Sequence, residues 1–356
     1  MNLYLHIGTE KTGSSFLQKL SGRNRDFLLQ RGVFFPSAGR DEQRLLKGTI
    51  SPGNARELSE LISDGKWAAV SLWLAARVRA AEKKGCDRLL LSHELMFAAL
   101  SCDKSVSHFE AAAKQAGVKS LHALLMIRDP VDQAVSLFKH RAKNGTVAQI
   151  DQWIKTGYAL PGEIKRFLDQ VEGSAVQLQL RKYVKDTESI LKIFFDDWLG
   201  VERPPICIET MVNPSLTLSE LEVIRHLASI RPTTVPLFYA RMLAIPPEQK
   251  ASDVHLEEVA RALVGNQLCQ FDDLWRDLDS RLREDGGLEI PAPRETRAVA
   301  GDAFCFSEAQ IRAWAEVQNE SLQVRYRAQL WLNHHLRPML GKIKRKFGEL
   351  FKGRKA

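Results

Sequence analysis

The chain has 356 residues, 44% hydrophobic and 26% charged, which is enough to bury a full core and fill one large domain. Its net charge of +8 is carried mostly by the end of the chain: residues 341–356 hold seven Lys/Arg and one acid, leaving 44 bases against 42 acids in the first 340. The body is therefore near neutral, which argues against a nucleic-acid-binding protein. Five scattered cysteines (Cys86, Cys102, Cys207, Cys269, Cys305) show no C-x-x-C or metal-type spacing and fit a reducing compartment.

Met1–Tyr4 lead straight into an apolar strand without the basic start of a signal peptide, so a cytoplasmic protein is expected. The strand ends near Ile7 and passes into Gly8-Thr9-Glu10-Lys11-Thr12-Gly13-Ser14-Ser15, which opens a helix. Free amides and the positive end of the helix dipole converge there, a setting suited to a phosphate. Glycine permits close approach, lysine adds charge and the hydroxyls add donors. The plainer reading is a strand-to-helix turn with a serine cap.

Residues 40–60 read as a polar, irregular loop expected to move over the site. A helix is expected over 66–84, a buried strand over 87–94 and a helix over 106–116. The longest nearly apolar stretch, 67–78, is too short to span a bilayer. Residues 121–130 read as a buried strand ending in Arg128, with Asp129-Pro130 starting a helix that carries Ser136. Arginine as a fork and serine as a donor could grip a second phosphate, and a structural ion pair is the other reading of Arg128. A strand over 175–183, an apolar-faced helix over 186–199 and a last short strand over 204–209 follow. Residues 215–286 are helical in pattern, broken near Pro232, Pro236 and Pro246-Pro247, and 307–336 form another helix capped by Ser307. Leu336, Met339, Leu340, Ile343, Phe347, Leu350 and Phe351 recur at helical spacing among basic residues, the pattern of an amphipathic helix lying on an anionic membrane surface or packed on the domain.

Lys11-Thr12-Gly13-Ser14-Ser15 departs from a Walker A loop, which places lysine after the second glycine. It resembles the 5′-phosphosulfate loop of sulfotransferases that use 3′-phosphoadenosine-5′-phosphosulfate (PAPS), K-[TS]-G-[TS]-[TS] after a strand, and the opening is most similar to bacterial members of that family. Arg128-Asp129-Pro130, with Ser136 eight residues after the arginine, resembles the family's 3′-phosphate signature. Leu180-Arg181-Lys182-Tyr183 resembles a strand ending in R-x-[YF]-E whose aromatic lies near adenine, although Val184 replaces the acid. Asn213-Pro214-Ser215-Leu216 is similar to an N-x-S-L element of bacterial relatives, and Arg31-Gly32-Val33-Phe34-Phe35-Pro36, after the first helix, resembles the family's short second strand.

The resemblance implies a P-loop-like α/β fold: a doubly wound parallel sheet flanked by helices, with a helical C-terminal extension. Residues 1–210 would form the PAPS-binding core, 211–335 would complete the same domain and the acceptor cleft, and 336–356 would be the basic tail. It implies that Thr9, Lys11, Thr12, Gly13, Ser14, Ser15, Arg128, Ser136 and Tyr183 bind the co-substrate, with Lys11 also catalytic. No metal is expected. Sulfuryl transfer needs a base for the acceptor proton. The family places histidine in some members and glutamate in others at the end of the third apolar strand, and this chain has both, in Ser92-His93-Glu94. Strand alternation lets only one of them face the acceptor. Glu94 is preferred, with His93 close behind. The expected acceptor is a hydroxyl of a carbohydrate or glycolipid. Two rivals stand beside this reading. A small-molecule P-loop kinase calls for G-K-[ST] and a magnesium-binding carboxylate, and a non-catalytic nucleotide- or membrane-binding adaptor calls for neither His93 nor Glu94 at the nucleotide.

Overall fold

The computed structural model describes residues 1–47, 53–205, 215–294 and 305–331. Two compact units are distinguished within them: residues 1–138, 149–205 and 258–294 build one, and 139–148, 215–257 and 305–331 the other. The first unit is α/β and holds a five-stranded, all-parallel sheet flanked by helices.

The strands are β1 (Asn2–His6), β2 (Val33–Phe34), β3 (Arg88–Ser92), β4 (Ser120–Ile127) and β5 (Val176–Lys182), arranged in the order β2-β3-β1-β4-β5. Parallel neighbours need crossovers, and helices supply them. β1 lies at the centre, with Leu5 registered against Leu91 on one side and Ala123 on the other. From β1 the chain crosses to β2 at one edge, returns inward to β3 beside β1, then passes to β4 and β5 on the other side. This reversal of winding leaves a crevice at the carboxyl ends of β1, β3 and β4.

Leu89, Leu90 and Leu91, like residues 123–127, are buried without a break, as expected of strands covered on both faces. Leu90, Leu124 and Met126 pack with Leu17, Leu20, Phe194 and Phe195 in one cluster. The helices α1 (Ser14–Arg23) and α2 (Arg25–Gln30) follow β1. Next come α3 (Glu42–Lys47), α4 (Arg56–Ser63) and α5 (Trp67–Lys83), then α6 (Leu95–Leu100) and α7 (Ser105–Gln115). Past β4 lie α8 (Pro130–Ala142), α9 (Ile150–Thr156) and α10 (Leu160–Val171). Past β5, Asp186 caps α11 (Thr187–Leu191) by accepting from the Ser189 amide at 2.8 Å, and a π-helix continues over Lys192–Leu199.

Two expectations need correction, and a third lies mostly outside the described residues. Residues 40–60 are not an irregular loop where they are described: a 3-10 turn (Gly39–Asp41), α3 and α4 occupy them, and 48–52 lie outside the described residues. Leu45, Leu58 and Ile62 are buried to 2% exposure or less, and this packing outweighs the polar composition. The third apolar strand stops at Ser92, because Glu94 already has helical backbone angles and the apolar run Leu95–Leu100 coils into α6. Pro204 and Pro205 are irregular, and the rest of the strand expected over 204–209 lies outside the described residues.

The second unit contains α12 (Leu218–Ile230), α13 (Val235–Ala244), the start of α14 (Val254–Leu268) and α16 (Glu308–Trp331), whereas α15 (Asp272–Arg281) belongs to the sheet unit. Thr217 and Glu220 form a reciprocal cap on α12. Ser307 does cap α16: the Gln310 amide donates to Ser307 Oγ at 3.3 Å and the Ser307 amide to Gln310 Oε1 at 2.8 Å. The basic amphipathic segment 336–356 and Asn213-Pro214 lie outside the described residues. No described helix is long and apolar enough to cross a membrane.

Candidate functional site

β1 runs into a loop, Ile7–Gly13, whose Ile7 amide still donates to Leu124 O of β4 at 3.1 Å before α1 begins at Ser14. Lys11 (φ 68°) and Gly13 (φ 79°) are both left-handed. Glycine adopts that region freely, but for lysine it costs about 1–2 kcal/mol. Among the described residues only Lys104 is another non-glycine residue of this kind. What the bend achieves is visible in the hydrogen bonding. Among the described residues, the main-chain N–H groups of Thr12, Gly13, Ser14 and Ser15 donate to no acceptor, while those of Phe16 and Leu17 both close onto Gly13 O (3.0 and 3.2 Å). Four consecutive unsatisfied donors at a helix N-terminus favour an anion. Ser14 adds a hydroxyl that is buried and has no hydrogen-bond partner.

Thr9 and Thr12 use their hydroxyls differently. Thr12 Oγ1 donates to Thr9 O at 2.6 Å, and Thr9 Oγ1 to Met126 O at 3.1 Å. Both hydrogens brace the loop, which leaves the main chain of these residues as their remaining source of donors. Gly8 is required by close approach: a Cβ there would lie 2.9 Å from Ser14 Oγ, 3.1 Å from Thr12 Oγ1 and 3.2 Å from His6 Nε2.

Arg128 follows β4 directly and donates from Nη1 to Lys11 O at 3.4 Å, with its Nη2 3.7 Å from Asp132 Oδ2. Its guanidinium lies 5.7 Å from the centroid of the Tyr183 ring. Tyr183 follows β5, its amide donating to Ile127 O at 2.7 Å, and its ring edge closes on the loop: a Cβ on Gly13 would come within 3.3 Å of Cε2. Burial pushes the Tyr183 phenol up, so it is neutral near pH 7. Lys11, Gly13, Arg128 and Tyr183, far apart in sequence, are thus one cluster. Asp129 steadies the bend by accepting from Lys182 Nζ (3.3 Å) and the Glu289 amide (2.8 Å). Ser136 is half-buried on α8, about 9 Å along the axis from Pro130 by helical rise, and its hydroxyl makes no hydrogen bond among the described residues. Among the described residues the polar contacts of Arg128 are with Lys11 O and Asp132, not with Ser136.

The end of β3 lies beside this cluster. Ser92 is turned inward: its Oγ lies 2.8 Å from His6 Nδ1 and accepts from Gln18 Nε2 at 3.2 Å. Asn54 clamps the same residue, accepting from the Ser92 amide at 2.8 Å and donating to Leu90 O at 3.1 Å. His93 is 1% exposed, and neither ring nitrogen has a partner. Burial, with the nearby Arg56 charge, holds it down at about 4, so it is neutral at pH 7. Glu94 is half-buried at the first turn of α6. Because the strand ends at Ser92, simple alternation does not decide between His93 and Glu94. The two differ in accessibility, His93 being buried and Glu94 half-buried.

Several contributors were not legible as site residues. Gln133 Nε2 donates to Glu10 O at 3.1 Å, and the buried Tyr158 hydroxyl donates to Gln133 Oε1 at 2.6 Å, tying the loop to α8. Burial pushes the Tyr158 phenol up, which keeps it a donor. Thr9, Arg128, Gln133, Tyr158 and Trp275 line one small cavity behind the loop. Only one sequence signal pointed below the loop: Ser14, Gln18 and Ser21 recur at i, i+4 and i+7 on the buried side of α1. Among the described residues no group of three or more His, Cys, Asp or Glu gathers as metal ligands. No family model, curated protein or solved structure matches the chain.

Proposed function

We propose that the chain is a PAPS-dependent sulfotransferase, its sheet a P-loop-like variant, acting on a hydroxyl of a carbohydrate or glycolipid. The observation that carries this reading is the convergence of two anion-binding elements at the switch point of one parallel sheet. The amides of residues 12–15 stand at the end of β1, and Arg128 at the end of β4 donates to the main chain of Lys11 beside them. Tyr183 on Gly13 adds a flat apolar surface of the kind a purine would stack on.

The residues fit such a nucleotide in their donor chemistry. The free amides, Ser14 and Ser15 would hold the 5′-phosphosulfate end, Arg128 the 3′-phosphate with Ser136 as a further donor, and Tyr183 the base. The bound donor supplies an activated sulfuryl group. Glu94 takes the proton of the attacking acceptor hydroxyl, with His93 second in line for that role. A new O–S bond forms as the bridging S–O bond breaks, and adenosine 3′,5′-bisphosphate leaves. Lys11 and the loop amides stabilise the negative charge that develops on the leaving oxygen, without reorganising to do so. Segment 336–356 would hold the enzyme peripherally at an anionic membrane face, near a lipid-linked acceptor.

The test is transfer of radiolabelled sulfuryl from PAPS to a panel of carbohydrate and glycolipid acceptors, with adenosine 3′,5′-bisphosphate measured as co-product. Labelled product is expected with wild type, and Lys11→Ala and Glu94→Gln should each reduce it at least about a hundredfold. Absence of transfer with every acceptor, together with phosphoryl transfer from ATP–magnesium, would replace this reading with a kinase.

A further inference from the structure

The group beneath the loop has an internal logic that assigns a proton. Ser92 Oγ is in hydrogen-bond contact with two side chains, His6 Nδ1 at 2.8 Å and Gln18 Nε2 at 3.2 Å. Gln18 Nε2 is a donor and its partnerless Oε1 makes no bond to the hydroxyl, so of the two groups Ser92 Oγ touches, His6 Nδ1 is the one that can take its hydrogen. His6 is therefore a neutral ring carrying its proton on Nε2. That N–H is buried and has no partner among the described residues. Leaving such a donor unsatisfied costs about 1–3 kcal/mol. The ring is fixed further by Phe194, edge-on at 5.2 Å.

Nε2 faces the underside of the loop. It, Ser14 Oγ and Thr12 Oγ1 all lie within 3.2 Å of one point, the place a Cβ on Gly8 would occupy. Thr12 has committed its hydrogen to Thr9 O, whereas Ser14 Oγ is buried with no partner. Two orphaned groups, one a fixed donor and the other a hydroxyl able to accept and donate, thus border the same small space under four free amides.

We propose that His6 is a positioning residue: its Nε2–H directs the Ser14 hydroxyl, so that the hydroxyl's own hydrogen is presented to a phosphate oxygen held over residues 12–15. The proposal rests on the anion-site reading above and adds to it a buried relay, Gln18 to Ser92 to His6, whose Nε2–H is not bonded to Ser14 Oγ here and reaches it when a phosphate is held over the loop. Glycine at position 8 then has a second purpose, keeping the space between His6 and Ser14 open. Burial, which holds His6 down at about 3, keeps the relay in its neutral form across the physiological range.

Two measurements test it. Nitrogen NMR of isotopically labelled histidine in the wild-type chain is expected to show His6 protonated on Nε2 and bare on Nδ1; the opposite tautomer overturns the proposal, whatever any variant does. Calorimetric titration then compares adenosine 3′,5′-bisphosphate with adenosine 3′-monophosphate, which lacks the 5′ group. His6→Asn should weaken the bisphosphate about tenfold and leave the monophosphate within about twofold. His6→Gln, which carries a donor nearer the Nε2 position, should recover most of the loss. His6→Asn on top of Ser14→Ala should add little, since both act through one contact. Equal losses for both nucleotides, no rescue by His6→Gln, or additive losses would overturn the proposal. If wild type binds neither nucleotide, the sulfotransferase reading fails, and the same variants titrated with pyrophosphate decide the role of His6 by the same criteria.

Discussion

Replacing Arg128 with alanine separates the two tasks its position suggests. The side chain is 14% exposed and touches Lys11 O, Asp132 and the Tyr183 ring. Removing it leaves no stranded charge, because Asp132 also pairs with Arg261, and it leaves Lys11 O without one donor. Burial raises Asp132, but the Arg261 hydrogen bond and charge, together with Arg128, bring its carboxyl below the ordinary range, so it stays ionised in the variant. The loss in fold stability should therefore be about 1 kcal/mol, because the bond to Lys11 O is long at 3.4 Å and correspondingly weak. A charge-assisted bond to a phosphate is stronger, about 1.5–3 kcal/mol, which corresponds to roughly 10–150-fold in affinity. Calorimetry of adenosine 3′,5′-bisphosphate against adenosine 5′-monophosphate reads the difference. Arg128→Ala should lose about 10–150-fold on the bisphosphate and no more than about threefold on the monophosphate, which lacks the 3′ group. Equal losses on both would show that Arg128 serves only to hold the loop through Lys11 O, and would refute its assignment to a second phosphate.

Other outcomes follow from the same contacts. Lys11→Gly relieves a left-handed side chain at the expense of backbone entropy, so its fold stability should stay within about 1 kcal/mol of wild type while sulfuryl transfer falls at least about a hundredfold; thermal melts and the transfer assay read the two separately. Asn54→Ala strips the Ser92 amide and Leu90 O of partners, and denaturant unfolding should show a loss of about 1–3 kcal/mol; a change below about 0.5 kcal/mol would mean that water replaces the clamp. His93 has a folded pKa of about 4 against an ordinary 6.5, so between these values the unfolded chain binds a proton that the folded chain refuses. Stability contributed by the neutral ring is complete above pH 6.5 and is lost as pH falls toward 4, by up to about 3 kcal/mol. His93→Phe should remove that share of the slope and leave the share from His6, which is held at about 3, and a variant as steep as wild type from pH 6.5 to 4 would contradict the buried placement of His93. Removing 336–356 should abolish co-sedimentation with phosphatidylserine vesicles and leave bisphosphate affinity unchanged.

The loop was legible because each feature of Lys11–Ser15 answers a local need. Glycine supplies the left-handed turn at 13, small residues open α1, and the short strand before them is plainly apolar. Arg128-Asp129-Pro130 was legible for the same reason, since proline marks the first turn of α8. The fold class followed from strand and helix alternating to residue 200. The irregular reading of 40–60 failed because α3 and α4 owe their form to Leu45, Leu58 and Ile62 finding a core that composition does not reveal. Leu95–Leu100 is too short and too uniformly apolar for periodicity to tell strand from helix. His6 was missed for a different reason. Its meaning depends on Ser92, 86 residues away, and no local pattern encodes a tautomer fixed across two strands.

The central claim, that the loop and Arg128 together hold a 3′-phosphorylated adenine nucleotide, is tested most directly by titrating the wild-type chain with adenosine 3′,5′-bisphosphate in chelator and, separately, with ATP–magnesium. Micromolar binding of the bisphosphate without metal, much tighter than that of ATP–magnesium, is the predicted result. Tighter binding of ATP–magnesium, with little affinity for the bisphosphate, would contradict it.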